Sequence, residues 1–188
     1  MINSIIDFYL KSHPVTIGVL LLLAVYFIVL NWVFFYRYFS LNAWYERENN
    51  SLETLLMGAS TVKENSFLNN FIKSSNIVSK EVLDLAMLAA TKEATKGLSI
   101  LSVFASTTPF IGLFGTVVSI LDTFKHIGQS SGSMSIISSG VSDALIATAS
   151  GIFVAIFAYT YHQIMKRKSF EIISCIQMQS DAILARKV

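Results

Sequence analysis

Residues 106–120 read STTPFIGLFGTVVSI, a stretch without charge that is filled with glycine, threonine and a proline rather than leucine. The apolar run around it, from Gly97 to Phe124, has no charge before Asp122. That is long enough for a helix to cross a hydrocarbon core of about 30 Å. A helix that only had to dissolve in lipid gains nothing from Gly112, Gly115 and Thr116. In a membrane, small and hydroxylated positions instead let helices approach closely and bond across the contact. The stretch therefore predicts a membrane helix with a packed polar face, and with it an all-α membrane fold.

Two further runs extend the pattern. The first, Val15–Tyr36, is free of charge, too long for a cleaved signal peptide and not followed by a small-residue cleavage site. Trp32, Phe34, Phe35 and Tyr36 at its end form an aromatic belt, with Arg37 just beyond. The other, Val141–Met165, has Asp143 near its start and the cluster Lys166–Arg167–Lys168 at its end. Of the 188 residues 53% are hydrophobic and 14% charged, well below the quarter or so usual in soluble domains. The net charge of +2, with no aromatic-interleaved basic patch, gives no reason to expect nucleic acid. Cys175 is the sole cysteine, which excludes an internal disulfide and a cysteine metal cluster. His13, His126 and His162 lack metal-ligand spacing, and no Walker-type glycine loop is present, so neither metal nor nucleotide cofactor is expected.

Lysine and arginine set the direction. Arg37, Arg47, Lys92, Lys96 and the 166–168 cluster flank one side of the spans, whereas Lys11 and Lys125 flank the other. The positive-inside rule then orders the chain from outside inward. An outside N-terminus over 1–14, with the makings of an amphipathic helix, leads into a first span over 15–36. A helical inside region over 37–96 and a second span over 97–124 follow. An outside hairpin over 125–140, a third span over 141–165 and an inside helix over 166–188 complete the chain. Within the inside region, TVKE (Thr61–Glu64) fits a capping box, Ser79 with Glu81 opens a further helix, and Lys73–Lys80 is the expected loop. From Val82 the helical pattern enters the second span without a breaker, which predicts one long helix bent near Pro109.

On a helix, Thr108, Gly112, Thr116, Ser119 and Thr123 make one stripe with Gly115 beside it. Ala144, Thr148, Gly151, Ala155, Ala158 and His162 make a second stripe on the third span. Each threonine taken singly is better explained by packing, with its hydroxyl back-bonded to its own helix. Two hydroxyl faces on adjacent spans also suit the lining of a passage. Hydroxyls do not titrate near neutrality, so they cannot carry a proton themselves. Two readings stand for Asp143: an acid complementing the first turn of its helix, or a functional intramembrane acid. Asp122 with Lys125 or His126 reads as a solvated helix end, and His162 as an interfacial anchor.

TPFIGLFGTVVSI followed by SSGVSDALIATASGIFVAI resembles the second and third membrane helices of the ExbB/TolQ proteins, relatives of the flagellar stator protein MotA; the similarity is dense over 106–158. The resemblance implies a multi-pass protein of a bacterial inner membrane, with a periplasmic N-terminus and a cytoplasmic C-terminus. It implies a homo-oligomeric ring of five subunits around the membrane helices of two single-span ExbD/TolR-type partners, whose aspartates take up and release protons. It implies work delivered to a TonB- or TolA-like envelope protein. Thr116 in FGTVV and Thr148 in ATASG match the family's pore-facing threonines, with Asp143 on the same pathway. Gly112, Gly115, Gly151, Thr108, Ser119, Ala144 and Ala155 are then the packing and pore face. Two departures stand out: Asp143 in GVSDAL where the family has glutamate, and Phe157 in VAIFA where it has proline. DALIATA is closer to the TolQ form, which points to envelope maintenance during division rather than nutrient import. The alternative is a passive membrane scaffold, which needs small faces but no hydroxyls on both helices. An intramembrane enzyme is disfavoured, since the spans hold no serine–histidine or paired-aspartate constellation.

Overall fold

A computed structural model of the chain describes residues 14–59, 62–75, 79–129 and 134–185. Among these the regular elements are all helices: α1 (Pro14–Leu56), α2 (Phe67–Ser75), α3 (Lys80–Ala94), α4 (Leu98–Gln129) and α5 (Met134–Ala185). Three stretches are long and apolar enough to cross a membrane, lying within α1, the α3–α4 stretch and α5. The N-terminal segment, Thr61 of the expected capping box and the tip of the hairpin lie outside the described residues.

Contacts divide the chain into two compact units. A span unit holds residues up to Trp32 and Ile100–Tyr161, and a second unit holds Val33–Ser99 and the chain from His162 onward. In the span unit, Val19 and Leu23 of α1 pack with Ala147 and Val154 of α5, flanked by Phe27 and Ile111. Tyr26 stacks on Phe104 at 4.8 Å, and Phe27 meets Phe157 edge-on at 5.4 Å. Asn31 spends its amide hydrogen on the Phe27 carbonyl at 2.8 Å and accepts from the Tyr161 hydroxyl at 3.0 Å. This joins α1 to α5 through a bond that lipid cannot replace.

In the second unit a buried polar cluster replaces part of the apolar core. Glu48 is 1% exposed. Its Oε1 accepts from Trp44 Nε1 at 3.1 Å and from the Phe67 N–H at 2.8 Å, so this carboxylate caps α2. Its Oε2 accepts from Ser66 Oγ at 2.9 Å and from Gln179 Nε2 at 3.1 Å. Gln179 also donates to the Glu48 carbonyl at 2.9 Å and takes Ser66 on its own oxygen at 3.0 Å.

Ser79 caps α3 as its spacing predicts, accepting from the Val82 N–H at 3.4 Å. Three expectations fail. Helix α2 starts at Phe67 rather than after Thr61, because Glu48, distant in sequence, supplies the cap. It also carries helix through Lys73–Ser75 of the expected loop. Nor is the approach to the second span one helix bent at Pro109. It breaks at Thr95–Gly97, where Gly97 adopts φ +89°, and α4 then continues through Pro109. Arg37 donates to the Glu93 carbonyl at 2.7 Å and Ser169 to the Ala94 carbonyl at 2.7 Å, so side chains of α1 and α5 satisfy the last carbonyls of α3. A Cβ at Gly97 meets only the Arg37 side chain, at ordinary contact distance (Cγ at 3.7 Å, Nε at 4.0 Å), so the constraint there is conformational rather than steric. Gly97→Val is expected to cost about 1–2 kcal/mol from the left-handed backbone alone. An unchanged thermal unfolding temperature for that variant contradicts this assignment.

Candidate functional site

The opening stretch lies on α4, and its small residues meet those of α5. A Cβ built on Gly151 falls 2.7 Å from the Thr108 carbonyl oxygen and 2.9 Å from Gly112 Cα. One built on Gly112 falls 2.9 Å from the Ala147 carbonyl oxygen. These are backbone atoms, which cannot rotate away, so the close crossing requires glycine on both helices. Gly115 faces Ala147 Cβ and Val19 Cγ1, at 3.0 and 3.1 Å from its own added Cβ, and is where α1 joins the pair.

This close approach brings two hydroxyls together. Thr116 Oγ1 and Thr148 Oγ1 are hydrogen-bonded to one another across the helix contact. Thr116 also reaches the carbonyls of Ala144 at 3.1 Å and Gly112 at 3.3 Å, and Thr148 reaches the Gly112 carbonyl at 3.3 Å. Each hydroxyl has one proton to donate. The pair can therefore bond in either direction, with the remaining proton on a carbonyl, without moving a heavy atom. Both threonines are half-buried, so the pair is reachable from outside the chain.

The rest of the stripe divides by where its hydroxyls go. Thr108, fully buried, and Thr123 each bond a carbonyl four residues earlier on their own helix, at 2.8 Å, and serve packing. Ser119 bonds across to the Gly140 carbonyl at 3.3 Å. Ala144 and Ala155 are buried on the α5 face, Ala144 offering its carbonyl to Thr116. Asp143 is 9% exposed, yet it makes no hydrogen bond to either threonine of the pair. Among the described residues no group of His, Cys, Asp or Glu is placed to hold a metal ion.

A family model described as the MotA/TolQ/ExbB proton channel family matches residues 59–178, which contain the α4 and α5 sides of this contact. The chain belongs to the MotA/TolQ/ExbB proton channel family. It is 39% identical to the biopolymer transport protein ExbB-like 1 of Helicobacter pylori over 189 residues, covering all of both chains. Over shorter stretches it is 45% identical to the biopolymer transport protein ExbB of Neisseria gonorrhoeae, across 38% of this chain and 33% of that one. It is 34% identical to the Tol-Pal system protein TolQ of Pseudomonas aeruginosa, across 54% of this chain and 47% of that one. The resemblance drawn from TPFIGLFGTVVSI thus extends into the α2–α3 region, which carried no motif of its own. As a member of this family of proton channels, the chain is a membrane protein in an energy-transducing class.

Sequence reasoning passed over two polar pairs. Asn31 and Tyr161 sit in runs read as uniformly apolar or aromatic. Glu48 lies in YERENN, which looks like a solvated charge cluster. Its signal is spacing: Phe34, Leu41, Glu48 and Leu55 recur every seven residues, as do Met165, Ile172 and Gln179. A polar residue in the register of a buried stripe marks a buried polar contact.

Proposed function

We propose that this chain is the ring-forming subunit of a proton-driven motor, in which the Thr116–Thr148 pair lines the proton route. The observation that carries this reading is the pair itself: two hydroxyls bonded across a glycine-spaced contact, inside the region matched by a proton channel family. The hydroxyls hold no titratable charge, so the proton carrier belongs to a partner, an acidic residue on the membrane helix of an ExbD/TolR-type subunit. The threonines donate to that acid when it is ionised and accept from it when it is protonated, because the pair reverses direction by rotation about C–O bonds. Asp143, buried one turn before Thr148 on α5, is proposed as a further residue of the pathway. Each proton moved through 100 mV releases about 2.3 kcal/mol, so several are used per mechanical step.

The arrangement proposed is a ring of five subunits around two partner helices in a bacterial inner membrane, with a periplasmic N-terminus as the positive-inside rule requires. The full-length relatives with ExbB-like names favour output to a TonB-like transport protein over the envelope-maintenance branch that DALIATA suggested. Replacing Thr148 with valine keeps the shape and removes the hydroxyl. In vesicles holding the complex with its partner, Thr148→Val is expected to lower proton flux at least tenfold while native mass stays unchanged. Thr116→Val behaves alike. Undiminished flux in both variants removes the pair from the proton route, and an unsubstituted complex that passes no protons supports the passive scaffold instead.

A further inference from the structure

Two polar side chains of the span unit are buried without a hydrogen bond. Thr16, in the first turn of α1, is 0% exposed and its Oγ1 has no partner. Asp143 of α5 is 9% exposed, and among the described residues its carboxylate receives no donor. Threonines deeper in the spans settle their hydroxyls on their own helix: Thr108, Thr123 and Thr160 each donate to the carbonyl four residues back, at 2.8 Å. Thr16 has no helical carbonyl at that distance, because α1 begins at Pro14. A buried hydroxyl or carboxylate left unpaired is costly, and these two are complementary, one a donor and the other an acceptor. We propose that Thr16 is a positioning residue for Asp143, its hydroxyl donating to the carboxylate across the α1–α5 contact. The proposal rests on the place given to Asp143 in the pathway above.

Direction and level both carry this. On α5, Asp143, Ala147, Ser150, Val154, Phe157 and Tyr161 recur at alternating spacings of four and three, which keeps them on one helix face. That face is turned to α1: Ala147 and Val154 pack with Val19 and Leu23, Phe157 meets Phe27, and Tyr161 bonds Asn31. The face turned to α4 is a different one, where Thr148 bonds Thr116 and the carbonyls of Gly140 and Ala144 accept from Ser119 and Thr116. The same contacts fix the register. Tyr161 with Asn31, Phe157 with Phe27 and Ala147 with Val19 climb two helices that run in the same direction. One turn further towards the helix starts, α1 brings Thr16, three residues before Val19, and α5 brings Asp143, four before Ala147. The α4 hydroxyls at that end are already spent, Ser119 on the Gly140 carbonyl and Thr123 on the Ser119 carbonyl. Rotation about the Cα–Cβ bonds of two short side chains completes the Thr16–Asp143 bond. A carboxylate held from a second helix then keeps one direction.

Placement and role are tested separately on the full chain. For placement, Thr16→Cys and Asp143→Cys are combined in a Cys175→Ala background and treated in membranes with an oxidant or a short bis-maleimide. A disulfide needs Cα atoms within about 7 Å. The link is expected within one chain, so both thiols disappear while the denatured product keeps the mass of one copy. For role, proton flux is measured in vesicles holding the complex with its partner. Thr16→Val is expected to lower flux about tenfold, the lower end of what a hydrogen bond to a charged group is worth. Thr16→Ser keeps the donor and is expected to return most of the parent flux. A threonine that only fills space gives the reverse order, since valine keeps the volume and serine does not. No intrachain link with either reagent overturns the placement. Parent flux in Thr16→Val, or a larger loss in Thr16→Ser than in Thr16→Val, overturns the role. Undiminished flux in Asp143→Asn overturns the pathway place of Asp143 and this proposal with it, and leaves the Thr116–Thr148 reading to its own variants.

Discussion

Replacing Glu48 with alanine is expected to lower the unfolding temperature of the solubilised protein by roughly 10 °C, although Glu48 lies outside the spans. The residue is 1% exposed and receives four donors. Two of them can adapt when it is removed: Ser66 already reaches Gln179 Oε1, and Gln179 keeps its bond to the residue-48 carbonyl. Trp44 Nε1–H and the Phe67 N–H then lack their carboxylate partner. Both donors are part-buried, so each costs towards the lower end of about 1–3 kcal/mol when unpaired, and the vacated volume of the buried side chain adds to this. A total of about 3–5 kcal/mol corresponds to the temperature shift in a chain of this size. Glu48→Gln is expected to fall between. Its oxygen still serves Trp44 and Phe67, but its amide faces the amide of Gln179, which cannot turn over without losing its bonds to Ser66 and the Glu48 carbonyl. Thermal unfolding with limited proteolysis between α1 and α2 checks both variants. If Glu48→Ala melts with the parent protein, the buried carboxylate is not what anchors α2 to α1 and α5.

The second large effect is at Gly151. Even the methyl of Gly151→Ala lands 2.7 Å from a carbonyl oxygen and 2.9 Å from Gly112 Cα, so α4 and α5 must separate. Overpacking of this kind costs about 1–3 kcal/mol. The functional loss is expected to exceed the loss of stability, because a shift of under an ångström is enough to break the Thr116–Thr148 bond and the 3.3 Å bond from Thr148 to the Gly112 carbonyl. We expect Gly151→Ala to retain the folded state but lose at least nine-tenths of proton flux, and Gly151→Val to lose assembly as well. Gly18→Ala is the internal control: its added methyl meets nothing within 4 Å, and alanine favours the helix by up to about 1 kcal/mol. Equal loss at Gly18 and Gly151 would falsify the close-approach account.

Much of this was legible in the chain. Three spans follow from composition and length, since a helix in lipid satisfies its own backbone and needs only an apolar surface. That two hydroxylated faces meet follows from stripes on two spans joined by a short hairpin. Ser79 announced its helix because a cap is read from neighbours a few residues away. What stayed hidden involves partners far apart in sequence. Gly97 looks like any helix-tolerated glycine until Arg37 and Ser169 are seen holding the carbonyls beside it. Pro109 looks like the breaker, yet α4 continues through it. Nor could the pattern say which hydroxyls cross between helices: Thr108 and Thr116 share one stripe, but the first bonds its own helix and the second bridges.

Local periodicity thus specified the spans, the facing stripes and the short-range cap. Tertiary packing alone decided that Glu48 pairs with Gln179 across 131 residues, that the joint before the second span sits at Gly97, and that the two threonines bond to each other. The physical reason is the reach of each interaction. Burial in lipid and helix capping act within a turn or a span, and so leave their mark on neighbouring residues. A hydrogen bond between distant side chains depends on the position of two backbones, which no single stretch contains.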